Sequence, residues 1–80
     1  MENQNNTMAF NEWLKIERQK KGLTASEFAN KCGLSRISIS QFETGKAVPG
    51  IKAVKKIADV IGCDIAFIVT LINRNNNNNN

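Results

Sequence analysis

Between Ser35 and Gln41 the chain reads SRISISQ, placing an arginine, three serines, two isoleucines and a glutamine within seven residues. These side chains suit hydrogen-bonded recognition better than bond cleavage. A guanidinium such as Arg36 can donate two bonds to a guanine edge, an amide such as Gln41 matches adenine, and Ile37 can lie against a thymine methyl. Ser35, Ser38 and Ser40 add hydroxyls suited to bases or to a sugar-phosphate chain. The chain has no histidine, which removes the commonest general base, and neither a nucleophile–base pair nor a glycine-rich phosphate loop is present. With two cysteines and no histidine, a four-ligand zinc site is not available. The expectation is a binding protein without metal or cofactor, not an enzyme.

Two short helices must position this group. Thr24 followed by Glu27 is a capping-box pair, which starts a helix at Ala25. Its apolar residues Phe28 and Ala29 face inward. Gly33 offers a left-handed turn and Leu34 plugs the corner. Ser35 caps the next helix, where Ile39 and Phe42 keep the inward spacing and Arg36, Ile37, Ser40 and Gln41 point elsewhere. Thr44-Gly45 closes that helix. The small Ala29 at the crossing allows close backbone approach, as a helix-turn-helix requires.

The flanking segments complete a helical domain over residues 8–62. Phe10, Trp13, Leu14 and Glu17 recur at helical steps from about Met8 to Lys21, and Gly22 stops the run. Phe10 and Trp13 read as core anchors. After Pro49, a fourth helix is expected from Ile51 to Ile61, with Ile51, Val54, Ile57, Ala58 and Ile61 on one face and Lys52, Lys55, Lys56 and Asp59 on the other. Gly62 ends it. The segment from Asp64 to Ile72 is rich in β-branched residues and favours a strand. A helix stays open, because Ile65, Ile68 and Ile72 also match helical spacing. A lone strand needs a partner, and a second copy supplies one, so residues 63–73 are read as a dimerisation segment carrying Ile65, Phe67, Ile68, Val69 and Leu71. The polar residues 1–7 and the asparagine-rich residues 74–80 are expected to be disordered.

Eighty residues make one small domain, for which oligomerisation is a common source of added stability. The net charge of +4 and pI near 9.4 fit a polyanionic partner. Arg18, Arg36, Lys46 and the other basic residues except Arg74 cluster in the helical part, which strengthens that reading. Neither a cleavable leader nor a membrane-length apolar stretch is evident, so a cytoplasmic location is expected, with Cys32 and Cys63 reduced.

Leu23, Thr24, Ala29, Gly33, Ser35, Ile39, Glu43, Gly45 and Lys46 together resemble the pattern of the Cro and phage-repressor helix-turn-helix domains, the XRE family. The likeness runs from about Leu14 to Cys63. It implies an all-α, four- to five-helix repressor-like DNA-binding domain, here followed by the strand or helix just described. It also implies a recognition helix in the major groove, with Arg36, Ile37, Ser40 and Gln41 meeting bases. Ser35, Ser38, Thr44 and Lys46 then contact phosphate. The family's matching glutamate pairs with an arginine of the first helix, which maps the pair onto Glu43 and Arg18 and implies a structural role. The family's usual glutamine at the first position of the second helix is Ala25 here, leaving Ser26 or the helix N-terminus to hold phosphate. The implied function is a homodimeric repressor that binds double-stranded DNA at an inverted repeat. Some antitoxin-like members carry a C-terminal strand across their dimer, so the alternative is an antitoxin that binds a toxin and represses the shared operon.

Overall fold

The computed structural model describes residues 8–77. The order is α1 (Phe10–Lys20), α2 (Ala25–Cys32), α3 (Arg36–Thr44), α4 (Ile51–Ile61) and α5 (Ile65–Asn77). The disorder expected for residues 1–7 and 78–80 lies outside the described residues. Among the described residues, no helix is long and apolar enough to cross a membrane.

Each helix buries one stripe, and the stripes meet in one core. Leu14, Phe28, Ile39, Val54, Ile57 and Ile68 are its largest fully buried side chains, so all five helices contribute. Phe10 is buried beside them, while Trp13 is partly buried, 6.1 Å from the Phe10 ring and edge-on to Phe67 at 5.5 Å. The start of α2 forms the full capping box: Glu27 N–H donates to Thr24 Oγ1 at 3.1 Å, and Thr24 N–H donates to Glu27 Oε1 at 2.8 Å. Gly33 then adopts φ 71°, and the Leu34 N–H reaches back to the Ala29 carbonyl at 2.9 Å. No atom lies within 4 Å of where a Cβ at Gly33 would sit, so the left-handed backbone itself selects glycine.

The strand expected at residues 64–72 is overturned: the segment forms the first part of α5. Ile68 and Leu71 sit one helical turn apart and are both buried, with Ile65, Val69 and Ile72 packed against the same core. Helix propensity costs a β-branched residue only tenths of a kcal/mol, whereas burying each large aliphatic side chain gains about 1.5–3 kcal/mol. Packing against α1 and α4 therefore decides the conformation. The helix also runs through Asn77, four residues into the stretch 74–80 expected to be disordered. Ile51, expected on the inward face of α4, is 59% exposed. It is the first residue of that helix, and side chains lean toward a helix N-terminus, so it overhangs the end of the core.

Candidate nucleic-acid interface

Helix α3 divides its residues sharply between anchoring and display. Ile39 and Phe42 are buried, fixing the helix on the core. Arg36, Ile37, Ser40 and Gln41 are all exposed, and Ile37 is 65% accessible despite being apolar. The four expected readers are thus brought together on one outward surface. Neither the Arg36 guanidinium nor the Gln41 amide has a partner among the described residues, leaving their donors available.

The hydroxyls around this surface are less free than their types suggest. Ser35 caps α3 by accepting from the Ser38 N–H at 3.0 Å, and its own proton is donated to Ser38 Oγ at 2.9 Å. Ser38 therefore holds the one proton of the pair that can be given outward. Thr44 Oγ1 donates to the Ser40 carbonyl at 2.9 Å, so a phosphate contact from Thr44 requires its hydroxyl to rotate. Lys46 carries no such commitment. It is exposed just past the left-handed Gly45, held there by its N–H to the Gln41 carbonyl at 2.9 Å. Ser26 is exposed on the first turn of α2, where Ala25 packs on the core instead of reaching out. The Glu27 carboxylate of the capping box occupies that same helix end and opposes an anion there.

Arg18 and Glu43 form the expected pair. Arg18 Nε donates to Glu43 Oε2 at 2.7 Å and Nη2 donates to Oε1 at 3.0 Å, a two-pronged contact between side chains only 13% and 8% exposed. A third bond runs from Arg18 Nη1 to the Leu23 carbonyl at 2.8 Å. One guanidinium thereby ties α1 to the turn before α2 and to the last turn of α3. The hydrogen bonds to Glu43 push the Arg18 pKa up, against the opposing effect of burial. The Leu23 contact uses a backbone carbonyl, which carries no side-chain signature.

Of the residues expected to pair two copies, Ile68 and Leu71 are buried in the core of a single chain, and Ile65 and Val69 are half-buried. Phe67 alone of that set stays broadly exposed, at 46%. Composition alone records how apolar the segment is, not which of its residues the core of one chain takes up.

A family model for the helix-turn-helix matches residues 14–68, well over half of the chain. The chain belongs to the helix-turn-helix family. Within it, the chain is of the Cro and phage-repressor type that its residues from Leu23 to Lys46 resemble. Among relatives, an uncharacterised SPbeta prophage-derived helix-turn-helix transcriptional regulator of Bacillus subtilis, YonR, is 32% identical over 60 residues, covering 75% of this chain and 56% of that protein. The ImmF control region 10 kDa protein of Bacillus phage phi105 is 35% identical over 52 residues, covering 65% of this chain and 58% of that one. The chain thus spans little more than half the length of these curated relatives. Two solved structures share the fold. The P22 c2 repressor in complex with a synthetic operator superposes with a TM-score of 0.72 at 19% identity, covering 78% of this chain and 94% of that one. The biofilm regulator SinR in complex with DNA gives 0.69 at 24% identity, covering 75% and 97%. Within this helix-turn-helix domain, α2 and α3 form the motif, and α1, α4 and α5 carry it.

Proposed function

We propose that this helix-turn-helix protein reads double-stranded DNA sequence-specifically, inserting α3 into the major groove, and acts as a homodimeric repressor on an inverted repeat. The observation that carries the reading is the unpartnered set Arg36, Ile37, Ser40 and Gln41, displayed outward by a helix whose other face is pinned by Ile39 and Phe42. A guanidinium and an amide without an intramolecular partner break no internal hydrogen bond on meeting base edges, where each good pair discriminates by about 1–3 kcal/mol. Lys46 and Ser38 hold phosphate, Ser26 adds a weaker contact beside the opposing Glu27 carboxylate, Ser35 and Thr44 help after their hydroxyls turn, and the Arg18–Glu43 pair keeps the end of α3 in place. The likeness to YonR, a helix-turn-helix-type transcriptional regulator, supports the same assignment, and the fold shared with the operator-bound P22 c2 repressor is compatible with it. The apolar segment that suggested a toxin partner is largely used in the core, so the regulator reading is preferred.

A gel-shift titration of the full chain on duplexes selected from a randomised pool, repeated across a salt series, tests this. Affinity should fall steeply with salt, and Arg36→Ala and Gln41→Ala should each weaken the selected duplex about 5- to 150-fold while leaving unselected DNA nearly unchanged. Salt-insensitive binding, or variants that match the parent, would refute the proposed mode.

A further inference from the structure

One apolar side chain stands among the polar groups that α3 displays. Ile37 is 65% exposed, the most open large apolar side chain among the described residues, while Ile39 on the same helix is fully buried. Its neighbours Arg36, Ser40 and Gln41 are all exposed and polar. Ser40 and Gln41 follow Ile37 by three and four residues, one helical turn along the same face. Ile37 therefore adds nothing to the core, and within α3 no exposed apolar neighbour widens it into a patch. What it fits is a small apolar feature set among polar ones. Base edges in the major groove offer one such feature, the methyl on C5 of a pyrimidine, beside groups that otherwise donate or accept hydrogen bonds.

We infer that Ile37 selects the C5-methyl group itself and not thymine as a base, so that 5-methylcytosine is bound in preference to cytosine at the position it faces. The inference rests on the DNA-reading assignment above. Thymine and 5-methylcytosine present the same methyl at the same place and differ beside it, where thymine carries the O4 acceptor and cytosine the N4 amino donor. An isoleucine side chain has neither donor nor acceptor and is blind to that difference. The free polar groups one turn away are equally tolerant. The Ser40 hydroxyl has no partner among the described residues, since Thr44 uses only the Ser40 backbone carbonyl. That hydroxyl can donate to O4 or accept from N4, and the Gln41 amide also offers both roles. Arg36 can only donate, and its fork matches the O6 and N7 of a guanine. A carboxylate would single out the cytosine amino group, but the one acid of α3, Glu43, is held by Arg18. The surface thus separates pyrimidines by their methyl. A half-site with cytosine at that position binds more tightly once its C5 hydrogen is a methyl group.

The test is a gel-shift titration of the full chain on the selected duplex, with each pyrimidine in turn placed as thymine, uracil, cytosine or 5-methylcytosine opposite its matching purine. The steps from uracil to thymine and from cytosine to 5-methylcytosine add only the methyl and leave pairing unchanged. At the position facing Ile37, each step should tighten binding about three- to fivefold, the value of burying one methyl group expressed as affinity. In Ile37→Ser, checked for folding by circular dichroism, both ratios should fall to near one, whereas Ile37→Val, which keeps an apolar tip, should retain them. Lys46→Ala should weaken every duplex and leave both ratios as in the parent. A response to thymine without one to 5-methylcytosine, or ratios unchanged in Ile37→Ser, would overturn the inference. Ratios of one at every pyrimidine in the parent overturn it too, while sparing the DNA-reading assignment if Arg36→Ala and Gln41→Ala still weaken the selected duplex. Failure to bind any duplex removes both.

Discussion

Replacing Arg18 by methionine keeps most of the side-chain volume but removes all three of its hydrogen bonds, two to Glu43 and one to the Leu23 carbonyl. The Glu43 carboxylate, 8% exposed, is then stranded without its counter-charge. Breaking one side of a fully buried pair costs about 3–5 kcal/mol, and because some water still reaches this one, about 2–4 kcal/mol is the fitting range. For a domain of this size each kcal/mol moves the melting temperature by about 4–8 °C, so the variant should melt on the order of 10–30 °C below the parent. The second arm is the double variant R18M/E43L. Exchanging a buried ion pair for apolar groups of similar volume is often close to neutral, so the double variant should recover most of the loss. Thermal melts followed by far-ultraviolet circular dichroism on the parent, both single variants and the double variant complete the cycle. The reasoning is refuted if R18M melts within about 2 °C of the parent, or if the double variant loses the sum of the two single losses.

Gly33→Ala should destabilise by about 1–2 kcal/mol, measured by urea unfolding, because the φ of 71° is the obstacle and no neighbour lies within 4 Å to clash. Burial pushes the Cys32 thiol up to about 11 from 9.0 and raises Cys63 as well. Since the folded chain favours the neutral thiol, this contribution to stability is complete below the ordinary thiol pKa and is lost as pH rises through about 11. Iodoacetamide at about pH 8 should therefore label the native chain far more slowly than the urea-unfolded chain, and Cys63 before the buried Cys32. Lys46→Ala should weaken binding to every duplex alike and lower the slope of log affinity against log salt by about 1, whereas Gln41→Ala changes preference among duplexes.

The parts of this domain that were legible in advance are those where a side chain acts on its own backbone neighbourhood. Thr24 with Glu27, Ser35, Gly33 and Gly45 specify ends of helices through hydrogen bonds and φ values set within a few residues, and each appears where its chemistry requires. The composition of residues 64–72 favours a strand but leaves a helix open, because the choice there depends on the faces of α1 and α4 awaiting Ile68 and Leu71, which no local preference records. The same gap hides that Ile68 and Leu71 of the expected dimer segment are buried in one chain while Phe67 stays exposed. At the candidate interface, the outward set on α3 followed from helical spacing against Ile39 and Phe42. The hydroxyl bond from Ser35 to Ser38 and the Thr44 bond to the Ser40 carbonyl did not follow, since a hydroxyl that bonds back within its own helix has the same letter as one that faces a ligand. Ile51 reads as core from its helical spacing with Val54 and Ile57, and it is exposed because it is the first residue of α4 and overhangs the end of the core.

The most direct test of the central claim is a titration of isotope-labelled chain with a selected duplex, followed by amide chemical shifts. The account predicts the largest changes at Ser35 to Gln41 and at Thr44 to Lys46, with Phe67 to Leu71 on α5 nearly still. Changes concentrated on α1 and α5, with the amides of α3 unmoved, would contradict it.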